Sequence, residues 1–370
     1  MRLIDKHVIR ELIGPFIFGV AAFTSIMFAG RELFKITELI AEFGAPLITA
    51  IELVLLFLPS MVVMTLPMSM LLCALLGFGR LSGDSEVVAL FASGVSLYRI
   101  ALPVLIMAVV VTGIGYILNE VVAPQANIEH DRIFKRFDKD QEADTDKPFI
   151  AIDSINGITR AVVYVQRGMN LASGTLRNVA VIQYKDNKPS IFIYAEQAIW
   201  MRSDNGSAKK GWQFRNGYYN SLGTGMRIIG PFTQFDAHEV KINKTPDELA
   251  LYQRKPDQMS FTQLKSYITM LQDQGQDVKE FRVKLYQKIA MPISCLIFAL
   301  IGIPLGLRPQ RSSSAMGLGL SIVIIFSYWV LLHYMAILGN NGVVSPAAAS
   351  FIPTMVGATA GIALIIRSSK

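Results

Sequence analysis

Charge is what this chain has least of. Only 17% of its 370 residues are Asp, Glu, Lys or Arg, against about 25% in an ordinary soluble domain. The shortage is uneven. No charged residue occurs in Leu12–Gly30, Leu53–Gly79, Ile100–Leu118, Ile289–Leu307 or Ser312–Ile366. A helix needs roughly 20 apolar residues to cross about 30 Å of hydrocarbon. The last stretch is long enough for two passes and is broken at residues 339–342, Gly-Asn-Asn-Gly, a turn signal. Six spans follow, three on each side of a charged middle. Lipid offers no partner to a backbone amide, so stretches of this length must be helices. A water-soluble bundle is excluded, because its helices would carry polar faces.

Cysteine and histidine are equally sparse. Cys73 and Cys295 both lie in apolar runs, so no disulfide framework holds the middle segment. The four histidines, His7, His130, His238 and His333, are scattered and suggest no metal site. No phosphate loop, H-E-x-x-H or G-x-S-x-G pattern occurs. The chain is therefore read as a non-enzyme without a cofactor of its own, and energy for any work must enter from another subunit. The net charge of +7 brings no basic cluster interleaved with aromatics, so no nucleic-acid partner is expected. Tripeptides at 205–207 and 243–245 match the glycosylation pattern, a match too common to carry weight.

The basic residues gather at the ends of the runs. Arg2, Lys6 and Arg10 precede the first; Arg80 and Arg99 lie between the second and third; Arg308 and Arg311 lie between the fourth and fifth; Arg367 and Lys370 follow the sixth. With six spans these all fall on one side, which the positive-inside rule makes the cytoplasm. Both termini are then cytoplasmic and the middle segment lies outside. The first run is too long for a signal peptide and no small-residue cleavage site follows it.

Residues 1–122 thus form spans one to three, 123–258 an outer domain, and 259–370 a connecting helix with spans four to six. In the outer domain the pattern changes to short β-rich runs such as 149–153, 161–165, 178–184 and 190–195. Turn signals separate them at 155–157, 185–188, 203–206 and 216–217. This spacing predicts roughly eight to ten antiparallel strands in a sandwich or jelly roll. The expected fold class is a polytopic α-helical membrane protein with six transmembrane helices and an inserted, outward-lying all-β, jelly-roll-like domain.

Three features stand out as candidate sites. The second span carries Pro59 and Pro67, which kink a helix, among Met61, Met64, Met68 and Met70. Phe57, Met61, Met64 and Met68 are candidates to line a cavity, since flexible thioethers make an adaptable apolar surface; plain lipid-facing filler is the alternative. Residues 79–94, GRLSGDSEVVALFASG, have acids Asp84 and Glu86 at a helix start, apolar Val87, Val88, Leu90 and Phe91, and Gly94 as a stop. Such a helix either inserts into a cytoplasmic partner or lies on the membrane surface. Arg31 and Lys35 are four apart at the outer end of the first span. They either snorkel to the interface or form a cationic site for an anionic lipid headgroup.

Residues 5–16 (DKHVIRELIGPF), the loop 79–94, and above all FTQLKSYI at 261–268, Gln274-Gly275, KIAMP at 288–292 and IGIPLG at 301–306 resemble the LptF/LptG permease family. The likeness runs over essentially the whole chain and includes the order three spans, β domain, three spans. It implies a bacterial inner-membrane subunit of an ABC-type machine that extracts lipopolysaccharide. It also implies four partners: a second permease subunit, paralogue or copy; an LptB-like ATPase dimer holding ATP and Mg; LptC/LptA-like periplasmic bridge proteins; and lipopolysaccharide itself. In that picture Asp84, Glu86, Val87, Leu90 and Phe91 couple to the ATPase, and Arg31 and Lys35 meet lipid phosphates. Two rivals remain. A membrane-anchored periplasmic binding or assembly module would have no ATPase partner. A lipid-modifying enzyme would need clustered His, Asp or Glu near a bilayer face.

Overall fold

The computed structural model describes residues 3–137, 148–155, 158–170, 175–185, 188–201, 211–223, 226–307 and 314–368. Arg2, Arg308, Arg311 and Lys370, the turn expected at 203–206 and the tripeptide 205–207 lie outside them.

The helices before the sheet are α1 (Leu3–Arg31), α2 (Leu33–Ala41), α3 (Leu47–Gly83), α4 (Glu86–Ala92) and α5 (Leu97–Ile117). A π turn, Leu118–Val122, carries α5 on into α6 (Ala123–Phe137). After the sheet come α7 (Pro246–Ala250), α8 (Phe261–Asp273), α9 (Lys279–Gly306), α10 (Ser314–Asn340) and α11 (Pro346–Ser368). Among the described residues, six helical stretches are long and apolar enough to cross a membrane, three on each side of the sheet, as the charge-free runs predict. The second of them, α3, runs for 37 residues through both Pro59 and Pro67 without interruption. At about 1.5 Å per residue it is longer than a bilayer core is thick.

The chain forms two compact units, one ending at Ile133 and resuming at Lys279, the other running Phe134–Val278. These borders lie later than 122/123 and 258/259. The helix does not stop where its apolar run stops, and the polar helix α8 packs with the sheet unit rather than leading into the membrane helix.

In the helical unit α9 is the enclosed element and packs on α3, α5, α10 and α11. Two side chains staple it to its neighbours. Asn119 Nδ2 donates to the Lys288 carbonyl and Ser350 Oγ to the Val283 carbonyl, both at 3.1 Å. Helices in lipid gain little from burying apolar surface against each other, so they depend on close packing and such polar contacts. The α1–α3 seam has both. A Cβ on Gly77 would stand 2.6 Å from Leu12 Cδ2, so the backbones meet there only because Gly77 has none. Further along, Thr24 and Thr65 share a buried hydroxyl–hydroxyl hydrogen bond of 3.1 Å.

Among its described residues the second unit holds six antiparallel strands: β1 (Phe149–Ile155), β2 (Ile158–Asn170), β3 (Thr175–Lys185), β4 (Lys188–Met201), β5 (Gly211–Leu222) and β6 (Ile228–Val240). They lie in sequential order, each paired with the next. The inserted antiparallel β domain is as expected. Its described strands are fewer and longer than eight to ten, and they make one meander. β1 and β2 pair up to Ile155 and Ile158, and β3 and β4 up to Lys185 and Lys188; the residues between, where turns are expected, lie outside the described ones. The Asn216-Gly217 signal is no turn. Asn216 takes a left-handed backbone inside β5 (φ 52). Gly217 is needed because a Cβ there would meet the Tyr194 carbonyl oxygen at 2.1 Å. A local twist used the residues that a hairpin would also use.

Alternation gives the sheet one closed face. Ala151, Val163, Val165, Val181, Ile193 and Phe214 point into a core that Ile242 and Leu249 help cover. The segment after β6 seals it. Trp212 Nε1 donates to the Lys244 carbonyl at 2.8 Å, and the buried Asp153 accepts from the Asn243 backbone amide at 3.0 Å. Thr245 caps α7 in a reciprocal box with Glu248. The 243–245 tripeptide is thus structural. Nearby, Tyr252 stacks on Phe149 and accepts from Gln274 Nε2 at 2.6 Å. Burial pushes its phenol up to about 12.

Two tests follow from this packing. Gly217→Ala should cost the sheet about 3 kcal/mol, the upper range for overpacking, because a carbonyl cannot swing aside as a side chain can. Urea unfolding read by Trp200 and Trp212 emission, in a Trp329→Phe background, should show the lower midpoint; an unmoved midpoint refutes the β4–β5 register. Tyr252 stabilises the fold fully below the unfolded phenol value near 10, and that contribution is lost as pH rises through about 12. Tyr252→Phe should therefore flatten the alkaline fall in stability between those limits.

Candidate functional site

The carboxyl end of α1 meets the first half of α3. Arg31 is the last residue of α1, where the helix dipole favours a cation. Its guanidinium lies over the Phe57 ring, 5.9 Å from the centroid, and Arg31 Nη1 is 3.6 Å from Met64 Sδ. An aromatic face holds a cation without neutralising it. Among the described residues no carboxylate pairs with Arg31. The other face of the cluster comes from α6. The His130 ring is 5.2 Å from Phe57, and Ser60 Oγ donates to Asn127 Oδ1 at 2.7 Å.

Lys35 is placed differently. The helical path breaks between α1 and α2 at Glu32, so Arg31 and Lys35 do not sit on one uninterrupted helix. Lys35 Nζ pairs with Glu32 Oε1 at 3.0 Å, and Glu32 is only 3% exposed. Arg31 keeps its charge for something else; Lys35 shares its charge with a buried carboxylate. Of the candidate cavity residues, Phe57 and Met64 stay partly exposed beside Arg31, whereas Met61 and Met68 are buried in the helical unit. The reason is helical spacing. Met61 and Met68 are seven apart and share the face of α3 turned inward, and Phe57 and Met64, also seven apart, share the neighbouring one.

The opposite end of the helical unit carries α4, bounded by left-handed Ser85 (φ 63) and Gly94 (φ 82). Its apolar side is split. Val87 is 2% exposed and belongs to a cluster with Val8, Leu12, Leu81 and Leu97. It is thereby withdrawn from any partner-facing surface. Val88 and Phe91, at 55% and 42%, stay open, with Leu90 partly buried. Glu86 is not a lone acid either, since its Oε2 lies 2.8 Å from His7 Nε2. Asp84 stands 4.0 Å from Arg80, which also pairs with Glu11 at 3.1 Å.

A family profile described as lipopolysaccharide export system permease LptF/LptG matches residues 6–367 of the chain. The chain belongs to that family. It is 27% identical over 260 residues to the lipopolysaccharide export system permease protein LptG of Escherichia coli K12, covering 70% of this chain and 68% of that one. It is 25% identical over 299 residues to the protein of the same name from Haemophilus influenzae, covering 78% of each.

In this LptF/LptG chain the two clusters lie at opposite ends of the α1–α3 pair. Sequence reasoning singled out Arg31, Phe57 and Met64, which the structure brings together, but gave no signal for Asn127 and His130. The last two sit on a helix beyond the apolar run, and only its π-turn continuation from α5 brings them back against α3. At the other end it singled out Glu86 and Phe91 but not His7, for which a scattered histidine gave no signal.

The burial pattern makes a sharp forecast. A photo-crosslinking residue in place of Phe57 or Met64 should capture membrane amphiphiles in native membranes. The same residue at Met61 or Met68 should capture protein only. Equal lipid capture at all four would show that the inward and outward faces of α3 are wrongly assigned.

Proposed function

We propose that the chain is the membrane-spanning permease subunit of an ABC-type transporter that extracts lipopolysaccharide from the inner membrane and passes it to a periplasmic bridge. Arg31, free of any described carboxylate and set on Phe57 beside Met64, carries this reading. A phosphorylated lipid presents an anion directly above acyl chains, and this cluster presents a cation directly above apolar surface. Moving the acyl chains from bilayer to an equally apolar cavity gains little, so the charged headgroup supplies the recognition. Lys35, tethered to Glu32, is the secondary cation.

The remaining surfaces suit the same task. Lys6, Arg10, Arg80, Arg99 and Arg367 share one end of the spans, which the positive-inside rule makes cytoplasmic. That puts both termini and α4 in the cytoplasm and the β domain in the periplasm. There α4 offers Val88 and Phe91 to an ATPase dimer, whose ATP and Mg drive the cycle. On the periplasmic side the sheet's open face is also apolar. Ile150, Tyr164, Ala180, Tyr194 and Tyr218 are opposite one another across five strands, and Tyr218 meets Phe232 edge-on at 5.1 Å. Such a band suits acyl chains in passage. β6 is an edge strand with Ile228, Ile229 and Phe232 exposed, the kind of edge to which an LptC/LptA-like bridge adds a strand. One bundle of six helices is too narrow to enclose a lipid with several acyl chains, so a second permease completes the cavity.

Reconstituted with the ATPase, the second permease and a soluble acceptor, Arg31→Glu should lower lipopolysaccharide release at least tenfold. Arg31→Lys should lose less, since a point charge keeps the attraction but not the guanidinium–ring fit. Release at the normal rate by Arg31→Glu makes Arg31 an interfacial anchor and removes the headgroup site. Failure of the intact chain to bind an ATPase at all points to a membrane-anchored assembly module instead.

A further inference from the structure

Two ion pairs and a histidine–carboxylate contact tie the amino-terminal turns of α1 to the loop that carries α4. Asp5 pairs with Arg99 at the start of α5 at 2.7 Å, His7 with Glu86 at the start of α4 at 2.8 Å, and Glu11 with Arg80 near the end of α3 at 3.1 Å. Beneath them Val8 and Leu12 of α1 share one apolar cluster with Leu81, Val87, Leu97 and Ile100. Every element of the 80–99 segment is therefore held by the same three turns of one helix. The arrangement is not required to close the loop. α4 is joined to α3 by Asp84-Ser85 and to α5 by 93–96, and its two flanks hold the left-handed residues Ser85 and Gly94. A two-turn helix between two such flanks would pivot unless something gripped it from the side.

The grip leads somewhere. From the ion pairs α1 runs on against α3 through Leu12 and Gly77, then Thr24 and Thr65, to Arg31 with Met64 and Phe57. Contacts of this seam lie on both sides of Pro15, so a kink there does not release α1 from its partner.

We propose that Asp5, His7 and Glu11 are positioning residues that clamp α4 to the α1–α3 pair, so that displacement of α4 is delivered to the Arg31 cluster at the other end. This rests on the reading of α4 as the coupling segment and of Arg31 as the headgroup site. The amino-terminal helix is then a working part of the transmission rather than an anchor. The clamp moves with α4 and does not open during the cycle. Its charge partners are all within the chain. Lys6 and Arg10 lie on the same turns without a described pairing.

The test measures lipopolysaccharide released per ATP hydrolysed, in proteoliposomes holding the complete transporter. Asp5→Arg and Arg99→Asp should each lower that ratio at least fivefold, and the double exchange should restore it to within about twofold of the parent. Because a reversed charge at the nearly buried Asp5 endangers folding, a second arm avoids reversal. His7→Cys and Glu86→Cys, with Cys73 and Cys295 replaced by Ala, are joined by a short bismaleimide. Before joining, this protein should show the lowered ratio of His7→Ala, and joining should restore it to within about twofold of the parent. Arrest of release on joining overturns the proposal, because the parts must then separate. Parental ratios for both single charge reversals overturn it as well. Phe91→Asp keeps the two levels apart. If Phe91→Asp abolishes coupling while the clamp variants are silent, the clamp is wrong and the coupling reading stands; if Phe91→Asp binds the ATPase and couples normally, the coupling reading itself falls.

Discussion

The seam between α1 and α3 is the contact on which both candidate sites depend. It rests on two things that lipid makes expensive to lose. One is the missing Cβ of Gly77, which lets Leu12 come against the α3 backbone. The other is the hydrogen bond between Thr24 and Thr65, buried where no water can replace it. With the two helices held this closely, Arg31 has no choice but to lie over Phe57, and the start of α1 has no choice but to lie beside α4. Spread the seam by one side-chain width and Arg31 leaves Phe57 and Met64, while the start of α1 leaves α4.

The two units solve opposite problems. The helical unit lives where apolar contact is cheap, so its order comes from small residues, hydroxyls and a few charges. Asn119 and Ser350 bind carbonyls of α9, and the buried Glu32 pairs with the exposed Lys35. The β unit lives in water, where apolar burial does most of the work. It has a true core under Val163, Val181 and Phe214, and it closes that core with Trp212, Asp153 and the capped α7. The other face also carries exposed apolar residues, among them Tyr164, Tyr218 and Phe232, and the Tyr218–Phe232 ring pair braces β5 against β6.

How much of this the amino acids reveal depends on the range of the interaction. The charge-free runs announced six spans because a bilayer imposes one length on all of them. Period-two runs announced the antiparallel insert, and likeness at a few motifs announced the family. The strand count was harder to read. Asn216-Gly217 is the composition of a hairpin turn, yet it sits inside β5, because a left-handed residue and a missing side chain serve a local twist as well as a turn.

The sites divide the same way. Sequence alone determined that Arg31 stands at a helix end beyond an apolar run and that a short apolar helix starts near Glu86. Spacing along one helix settles such statements. Only the tertiary structure decided that Lys35 belongs to Glu32, that Met61 and Met68 turn inward while Phe57 and Met64 turn out, and that Val87 is buried. It alone brought His7 to Glu86 and His130 to Phe57, across 79 and 73 residues of chain. Pairings of that separation depend on which helices pack together and at what rotation. Those are properties of the packed set, and no single stretch of sequence contains them.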